Sequence, residues 1–279
     1  MLPYTLGFPM PALTATLIAY NEERDLPRAL ASLEGIADEI ILVDSGSTDR
    51  TREIARAHGA RVYARQLDSL AEQKNYAASF SSNDWVLCID CDEELDSRLR
   101  ASILAWKETT PDKAHEKAPE KAGYEISLLT NYIGGWIRHS GWHPDYKVKL
   151  YRRDLGRFVN ILHESVQLDG PAGRLDGHLL HYTIRSYAEH RAKMEFLTTM
   201  AAQDMFSRGR KQWRAAMIFA PPWTFFQRLI FQLGVLDGWR GWMIAWLSGI
   251  YIYLKYRKLG RLRAGETLTR RSWPNPGEA

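Results

Sequence analysis

Two aspartates one residue apart, Asp90 and Asp92, close an apolar run at residues 85–89. In a loop leaving a strand, both carboxylates of such a pair can approach one hard cation that also bridges two phosphates. Acidic loop residues are more often only solvated, so the pair gains meaning from its company. Tyr20-Asn21-Glu22-Glu23 ends another apolar run, and Asp44-Ser45-Gly46-Ser47-Thr48-Asp49 ends a third. Asp44 at a strand end could accept hydrogen bonds from a nucleoside, and Gly46 lets backbone approach a ligand closely. The same stretch also reads as a turn followed by a helix cap. Cys88 and Cys91 form a C-x-x-C string. A redox pair normally opens a helix and a zinc ribbon needs a second cysteine pair, so neither chemistry is assigned here.

Side chains that follow strands converge only if the strands lie parallel in one sheet, and the first hundred residues alternate strand and helix signals in that way. Residues 13–19 read as a buried strand. Leu26, Ala29, Leu30 and Leu33 then mark one apolar helix face. Residues 40–43 are the second strand, followed by a helix over 48–58 with Ser47 or Thr48 as cap and Asp49 in its first turn. Residues 61–64 form a third strand. Ser69 to Glu72 has capping-box spacing and opens a helix to about Phe80. Residues 85–89 form a fourth strand that ends in an acidic loop, Asp90 to Glu94. In open α/β sheets, ligands sit outside the carboxyl ends of the strands, so the three polar loops are expected on one rim. A helix bearing Leu95, Leu99, Ile103 and Trp106 comes next. Residues 109–121, with two prolines and many charges, read as a solvated connector. Residues 124–182 are strand-like and irregular, and the chain turns helical beyond Ser186.

TLIAYNEE, ILVDSGSTDRT and VLCIDCDEEL, in this order and at these separations, resemble the family 2 glycosyltransferases of the GT-A type. The likeness spans roughly residues 12–190. It implies an α/β GT-A nucleotide-diphospho-sugar transferase fold, a Rossmann-like mixed sheet flanked by helices; beyond the likeness, the residues themselves read as a C-terminal helical, aromatic and basic membrane-associating extension. It further implies that Tyr20, Asn21, Glu22 and Asp44 hold the nucleoside, and that Asp90 and Asp92 bind Mn²⁺ or Mg²⁺ and the sugar diphosphate. Gln73, Lys74 and Asn75 match a family position near the donor, although the residues alone also fit an exposed polar helix face. GWHPD at 141–145, KLYRR at 149–153 and LHE at 162–164 are similar to the lipopolysaccharide core β-glucosyltransferase branch. By that likeness Glu164 is the catalytic base, Asp145 the alternative base, His163 a metal or diphosphate ligand, and Lys149 and Arg152 donor contacts. The branch leads one to expect arginine at position 149. Lysine keeps the charge and loses the bidentate fork. Read without the likeness, His163-Glu164 is an ordinary solvated loop pair and Pro144-Asp145 an ordinary turn.

The implied organisation is a donor-binding half over residues 1–108, the connector over 109–121, an acceptor-binding and catalytic half over 122–190, and a helical membrane-associating region over 191–279. The 279 residues, 45% hydrophobic and 25% charged, are globular in composition, which excludes a disordered chain. Two cysteines provide no disulfide framework, so a reducing compartment is expected. The first residues lack a basic segment ahead of their apolar stretch, so secretion is not expected. No run of about 18 uninterrupted apolar residues marks a membrane span. A net charge of +4 is too mild to argue for nucleic acid, and no RNA-binding motif is present. The basic residues do cluster after residue 251, behind an aromatic-rich segment. This pairing points to an anionic lipid surface, or alternatively to packing on the catalytic domain or a dimer seam. The expected partners are thus a nucleotide-sugar donor, a lipid-linked oligosaccharide acceptor and an anionic membrane surface, with oligomerisation left open. The expected place is the cytoplasmic face of the inner membrane. The expected reaction is inverting transfer of a sugar, glucose from UDP-glucose being the leading donor, to the lipopolysaccharide inner core. A heptose donor and a catalytically inactive nucleotide-sugar-binding scaffold are the alternatives.

Overall fold

Leu13–Ala19 forms β1, in which every residue but Ile18 is buried, as an apolar run flanked by strands on both sides requires. The computed structural model describes residues 10–109, 121–159, 164–210 and 213–268. The chain divides into two compact units, one of residues up to Leu128 with Asp145–His181, the other of Leu129–Pro144 with the chain from Tyr182 onward. The second unit therefore begins nearer residue 182 than 191 and takes in a segment of the expected catalytic half.

In the first unit, α1 (Leu26–Leu33) returns the chain from β1 to β2 (Glu39–Asp44), α2 (Thr51–Ala57) leads to β3 (Arg61–Ala64), and α3 (Leu70–Ser79) leads to β4 (Trp85–Cys88). These four strands are parallel in the order β3-β2-β1-β4. The α1 face Leu26, Ala29, Leu30 and Leu33 is wholly buried in the core it shares with β1. Ser69 caps α3 by accepting from the Glu72 N–H at 3.2 Å. The β2–β3 helix starts at Thr51, three residues later than its sequence indicates, because Ser47 and Thr48 bond to the loop after β1. Asp49 accepts the Thr51 N–H at 3.0 Å instead.

After β4 comes β5 (Glu93–Leu95), a short strand where a continuous acidic loop was expected, and then α4 (Ser97–Thr109), which buries Leu99, Ile103 and Trp106. The sheet continues with β6 (Gly123–Tyr132) and β8 (Asp145–Arg152); β8 lies antiparallel between β4 and β6, and β11 (Ala172–Ile184) follows and carries β5 on its far side. A separate ribbon pairs β9 (Gly156–Val159) with β10 (Ser165–Leu168). Residues 110–120, most of the expected connector, and His163 lie outside the described residues.

In the second unit β7 (Gly135–Trp136) pairs with the end of β6. Ser186 caps α5 (Tyr187–Ser207) by accepting from Glu189 N–H at 3.0 Å. The diproline Pro221-Pro222 reads as a break, yet α6 (Arg214–Phe226) runs through it. Proline's fixed φ suits a helix, and its cost is the missing N–H. Packing on α7 (Trp239–Arg263) offsets that cost, for at Gly249 a Cβ would stand only 3.1 Å from Pro221 O. A π-helical stretch, Gln227–Phe231, and a 3₁₀ turn, Gly234–Asp237, join α6 to α7. Among the described residues, no helix is long and apolar enough to cross a membrane.

Candidate active site

The carboxyl ends of β1, β2 and β4 lie on one edge of the first unit. Ala19 is level with Asp44, and Thr16 is level with Cys88, so Asp90 and Asp92 emerge beside the Tyr20 loop. Two of the three loops are bonded into one body. Asn21 N–H donates to Ser47 Oγ at 2.9 Å, Thr48 N–H to Asn21 Oδ1 at 2.8 Å, and Glu22 N–H to Thr51 Oγ1 at 2.8 Å. Asn21 takes a left-handed backbone (φ 56°), which asparagine tolerates better than most residues. Asp44 is fully buried and accepts the N–H groups of Gly46 and Ser47 at 3.0 and 3.1 Å, with Gly46 at φ 99°. Its carboxylate thus shapes the loop whose backbone faces the edge. Tyr20 is exposed there.

Behind the Asp90 loop lies a chain of alternating charges. Lys149 on β8 places Nζ 2.7 and 2.9 Å from the two oxygens of Glu93 and 3.2 Å from Asp90. Lys74 on α3 places Nζ 2.9 Å from the other Asp90 oxygen and 3.3 Å from Glu164 Oε1, while also lying over the Phe158 ring. Both lysines and Glu93 are buried. Burial pushes the Asp90 carboxyl up, but the Lys149 and Lys74 ammonium groups outweigh it and hold Asp90 far below the usual carboxylate range. Burial lowers both lysines, and their carboxylate partners more than restore them. For Glu93 burial wins over Lys149, and its carboxyl is raised. Glu93 also accepts the Asp90 N–H at 2.9 Å, so it closes the turn that presents Asp90 and Asp92.

The remaining candidates divide by position. Asp92 Oδ2 faces His181 Nε2 of β11 at 3.3 Å. Burial lowers the His181 imidazole, but the Asp92 charge and hydrogen bond outweigh it and raise it. Gln73 is buried and donates to Ser45 Oγ and Arg65 O, both at 3.0 Å, which ties α3 to the Asp44 loop. Asn75 bonds both ways with the Phe158 backbone, donating at 3.0 Å and accepting at 2.8 Å, and so fixes the β9 ribbon to α3. The exposed polar helix face that the sequence allows for these residues is not what forms. Asp145 opens β8 and lies 3.2 Å from Lys147, half exposed. Arg152 is not brought to this edge. It is level with Trp85, at the start of β4, and forks onto Asp154 at 2.9 and 2.6 Å.

The donor set suits a hard divalent cation that completes its shell with phosphate oxygens. Asp90 and Asp92 leave one turn, with His181 paired to Asp92 at 3.3 Å, and a cation of this kind commonly takes only one or two protein carboxylates beside its substrate's phosphates. Among the described residues, no group of three or more His, Cys, Asp or Glu side chains is placed to hold a metal ion.

Residues 14–114 match the family model described as glycosyl transferase family 2. Over this stretch the chain is similar to the family 2 glycosyltransferases. The chain is 29% identical over 256 residues to the lipopolysaccharide core biosynthesis glycosyltransferase LpsC of Rhizobium meliloti, covering 88% of this chain and 91% of the relative. It is 28% identical over 264 residues to an uncharacterised glycosyltransferase of Rickettsia typhi, covering 91% and 87%. Among solved structures it resembles the mannosyltransferase PcManGT of Pyrobaculum calidifontis, solved with GDP-Man and Mn²⁺, at a TM-score of 0.54 and 13% identity, covering 92% and 90%. The fold is that of the GT-A glycosyltransferases.

Two residues of the candidate site were not singled out by the sequence. Glu93 sits in a run of acids, and nothing local distinguishes the one that is buried; its counter-charge lies 56 positions away. His181 carries a weak signal, an imidazole between Leu179-Leu180 and Tyr182 in the second half of β11. Both cysteines are free and buried, and Cys91 Sγ donates to Ile18 O at 3.3 Å.

Proposed function

We propose that this protein is a family 2 glycosyltransferase, an inverting enzyme that moves a sugar from a nucleoside-diphosphate donor, UDP-glucose in the leading case, to a lipid-linked oligosaccharide at the cytoplasmic face of a membrane. Similarity to LpsC supports the lipopolysaccharide core as acceptor class. The observation that carries the reading is the placement of Glu164 at one end of a charge chain through Lys74 to Asp90, one residue from the Asp92–His181 pair.

Inverting transfer needs a base for the acceptor hydroxyl and stabilisation of the departing diphosphate. Glu164 takes the hydroxyl proton as the acceptor oxygen bonds to the anomeric carbon. The bond from that carbon to the phosphate oxygen breaks, and the nucleoside diphosphate leaves with the electron pair. Lys74 holds the Glu164 carboxylate in place, and Lys149 with Glu93 fixes the turn that aims Asp90 and Asp92. Tyr20, Asn21, Glu22 and the Asp44 loop receive the nucleoside. Asp92, His181 and Asp90 would hold Mn²⁺ or Mg²⁺, which when bound supplies positive charge to the diphosphate. Asp145 is the alternative base.

The test is a contrast between two variants. Glu164→Gln should lower transfer by about 100- to 10,000-fold while donor binding, read by calorimetry, stays near normal. Asp92→Ala should weaken donor binding in the presence of Mn²⁺. Near-normal turnover in Glu164→Gln removes Glu164 from the base role, and no release of nucleoside diphosphate on adding acceptor to the native protein removes the transferase reading.

A further inference from the structure

Over residues 215–254 only Arg228, Asp237 and Arg240 are charged, and all three are spent on backbone inside the second unit. Arg228 Nη1 donates to Ser140 O at 2.8 Å, and Arg240 donates to Tyr132 O at 3.0 Å and Ile133 O at 2.9 Å. Asp237 accepts the N–H groups of Arg138 and His139 at 3.0 and 3.1 Å and the Ser140 hydroxyl at 2.8 Å. The face turned outward is apolar. On α7, Trp239, Trp242, Trp246 and Tyr253 recur at spacings that put them on one side of the helix, all exposed. On α6, Ile218, Phe219, Trp223 and Phe226 are exposed in the same manner, and Phe219 keeps 72% of its surface. Ring contacts join the two arms: Phe225 lies 6.0 Å from Trp242 and 6.4 Å from Trp246, and Trp223 lies 5.8 Å from Phe231 at the turn. Side chains of this size at these exposures leave on the order of 1,000 Å² of apolar surface, above the ~300–600 Å² of the largest patch on an ordinary monomer.

Charge returns only at the base of the hairpin. The arms run antiparallel, with Pro221 O against Gly249 and the Trp213 ring against Gly260. Arg214 at the start of α6 and Arg257, Arg261 and Arg263 at the end of α7 therefore share the end remote from the turn, and all four are exposed. From tip to base the exposed side chains are first apolar and aromatic, then basic. This is the profile of a bilayer entered from an anionic surface. The uncharged arm at residues 241–254, at 1.5 Å per residue, reaches about 20 Å, short of the ~30 Å hydrocarbon core.

We propose that the α6–α7 hairpin is a monotopic anchor that sinks its aromatic face into one leaflet and sets its basic collar on anionic headgroups. The proposal deepens the membrane partner of the proposed function and is independent of its chemistry. A second copy of the chain is the competing occupant; over residues 214–254 the one acid, Asp237, is turned inward onto residues 138–140, and at the collar Arg261 pairs with Glu266 of its own chain at 2.7 Å.

The test mixes the full chain with vesicles of equimolar phosphatidylcholine and phosphatidylglycerol, with and without bromine on the acyl chains. Binding with tryptophan fluorescence quenched by the brominated chains, and only partly released by high salt, is expected. Phe219→Ser, Phe231→Ser and Trp246→Ser together should lower partitioning at least about 100-fold, with donor binding and thermal midpoint unchanged. Absence of acyl-chain quenching in the native protein, complete release by salt, or dimerisation without vesicle binding would each overturn the anchor. The native quenching measurement decides even if the triple variant misfolds. A protein that binds vesicles but transfers no sugar refutes the proposed chemistry alone.

Discussion

Replacing Lys149 by methionine isolates the buried charge chain. Methionine nearly matches the lysine stem and removes only the ammonium, which lies 2.7 and 2.9 Å from Glu93 and 3.2 Å from Asp90. Glu93, 1% exposed, is then left without its counter-charge. Removing one partner of a buried pair costs about 3–5 kcal/mol. At roughly 2–4 °C per kcal/mol for a chain of this size, the thermal midpoint should fall by about 6–20 °C. The loss should depend on pH with a defined sign. Burial already raises Glu93 above the ordinary carboxylate value, and without Lys149 it rises further. A carboxyl raised in the folded state stabilises fully below its unfolded value and loses that contribution as pH rises through the folded one. The deficit of Lys149→Met against the native protein should therefore be largest at pH 8 and shrink toward pH 5. Adding Glu93→Gln removes the orphaned charge, keeps an acceptor for the Asp90 N–H, and should recover about 1–3 kcal/mol. Urea denaturation of both variants across this pH range is the assay. A loss under about 1 kcal/mol, or a double variant no more stable than the single, would refute the reasoning.

Burial, reinforced by Lys193, pushes His190 down to about 4 beside the Tyr132 hydroxyl, 2.8 Å away. Stability from this group, up to about 3 kcal/mol, is present above pH 6.5 and is lost as pH falls toward 4; His190→Gln should flatten that slope in urea titrations, and an unchanged slope would contradict it. Gly177 has φ 101°, and a Cβ there would stand 2.2 Å from the Leu99 backbone nitrogen. Gly177→Ala should cost about 3 kcal/mol or more by thermal melting, since neither the strained backbone nor the first turn of α4 can yield cheaply. Cys88→Ala with Cys91→Ala should leave turnover intact, and lost turnover in a folded protein would reopen a chemical role for the pair.

The parallel half of the sheet was legible because its signals are local. The Leu26, Ala29, Leu30, Leu33 face, the Ser69 cap and the apolar runs before Tyr20, Asp44 and Asp90 each sit within a few residues, and parallel topology then brings those three loops to one edge. What stayed hidden depends on partners distant in the chain. Glu93 reads as one more loop acid until Lys149 neutralises it, and with that neutralisation β5 can pair to β11. Likeness alone set Arg152 beside the donor, but two residues later Asp154 claims its fork. The diproline carried a correct local cost, and packing at Gly249, 28 residues on, reversed its outcome.

The hydrogen bonds between Asn21–Glu23 and Ser47–Thr51 make the segments after β1 and β2 a single heritable part. Altering either strip by itself breaks the other's supports, so swapping one position at a time will cost folding before it changes what this edge binds. Chimeras that graft both strips together from a donor protein keep the cross-loop bonds paired, and they are the smallest exchange this architecture tolerates.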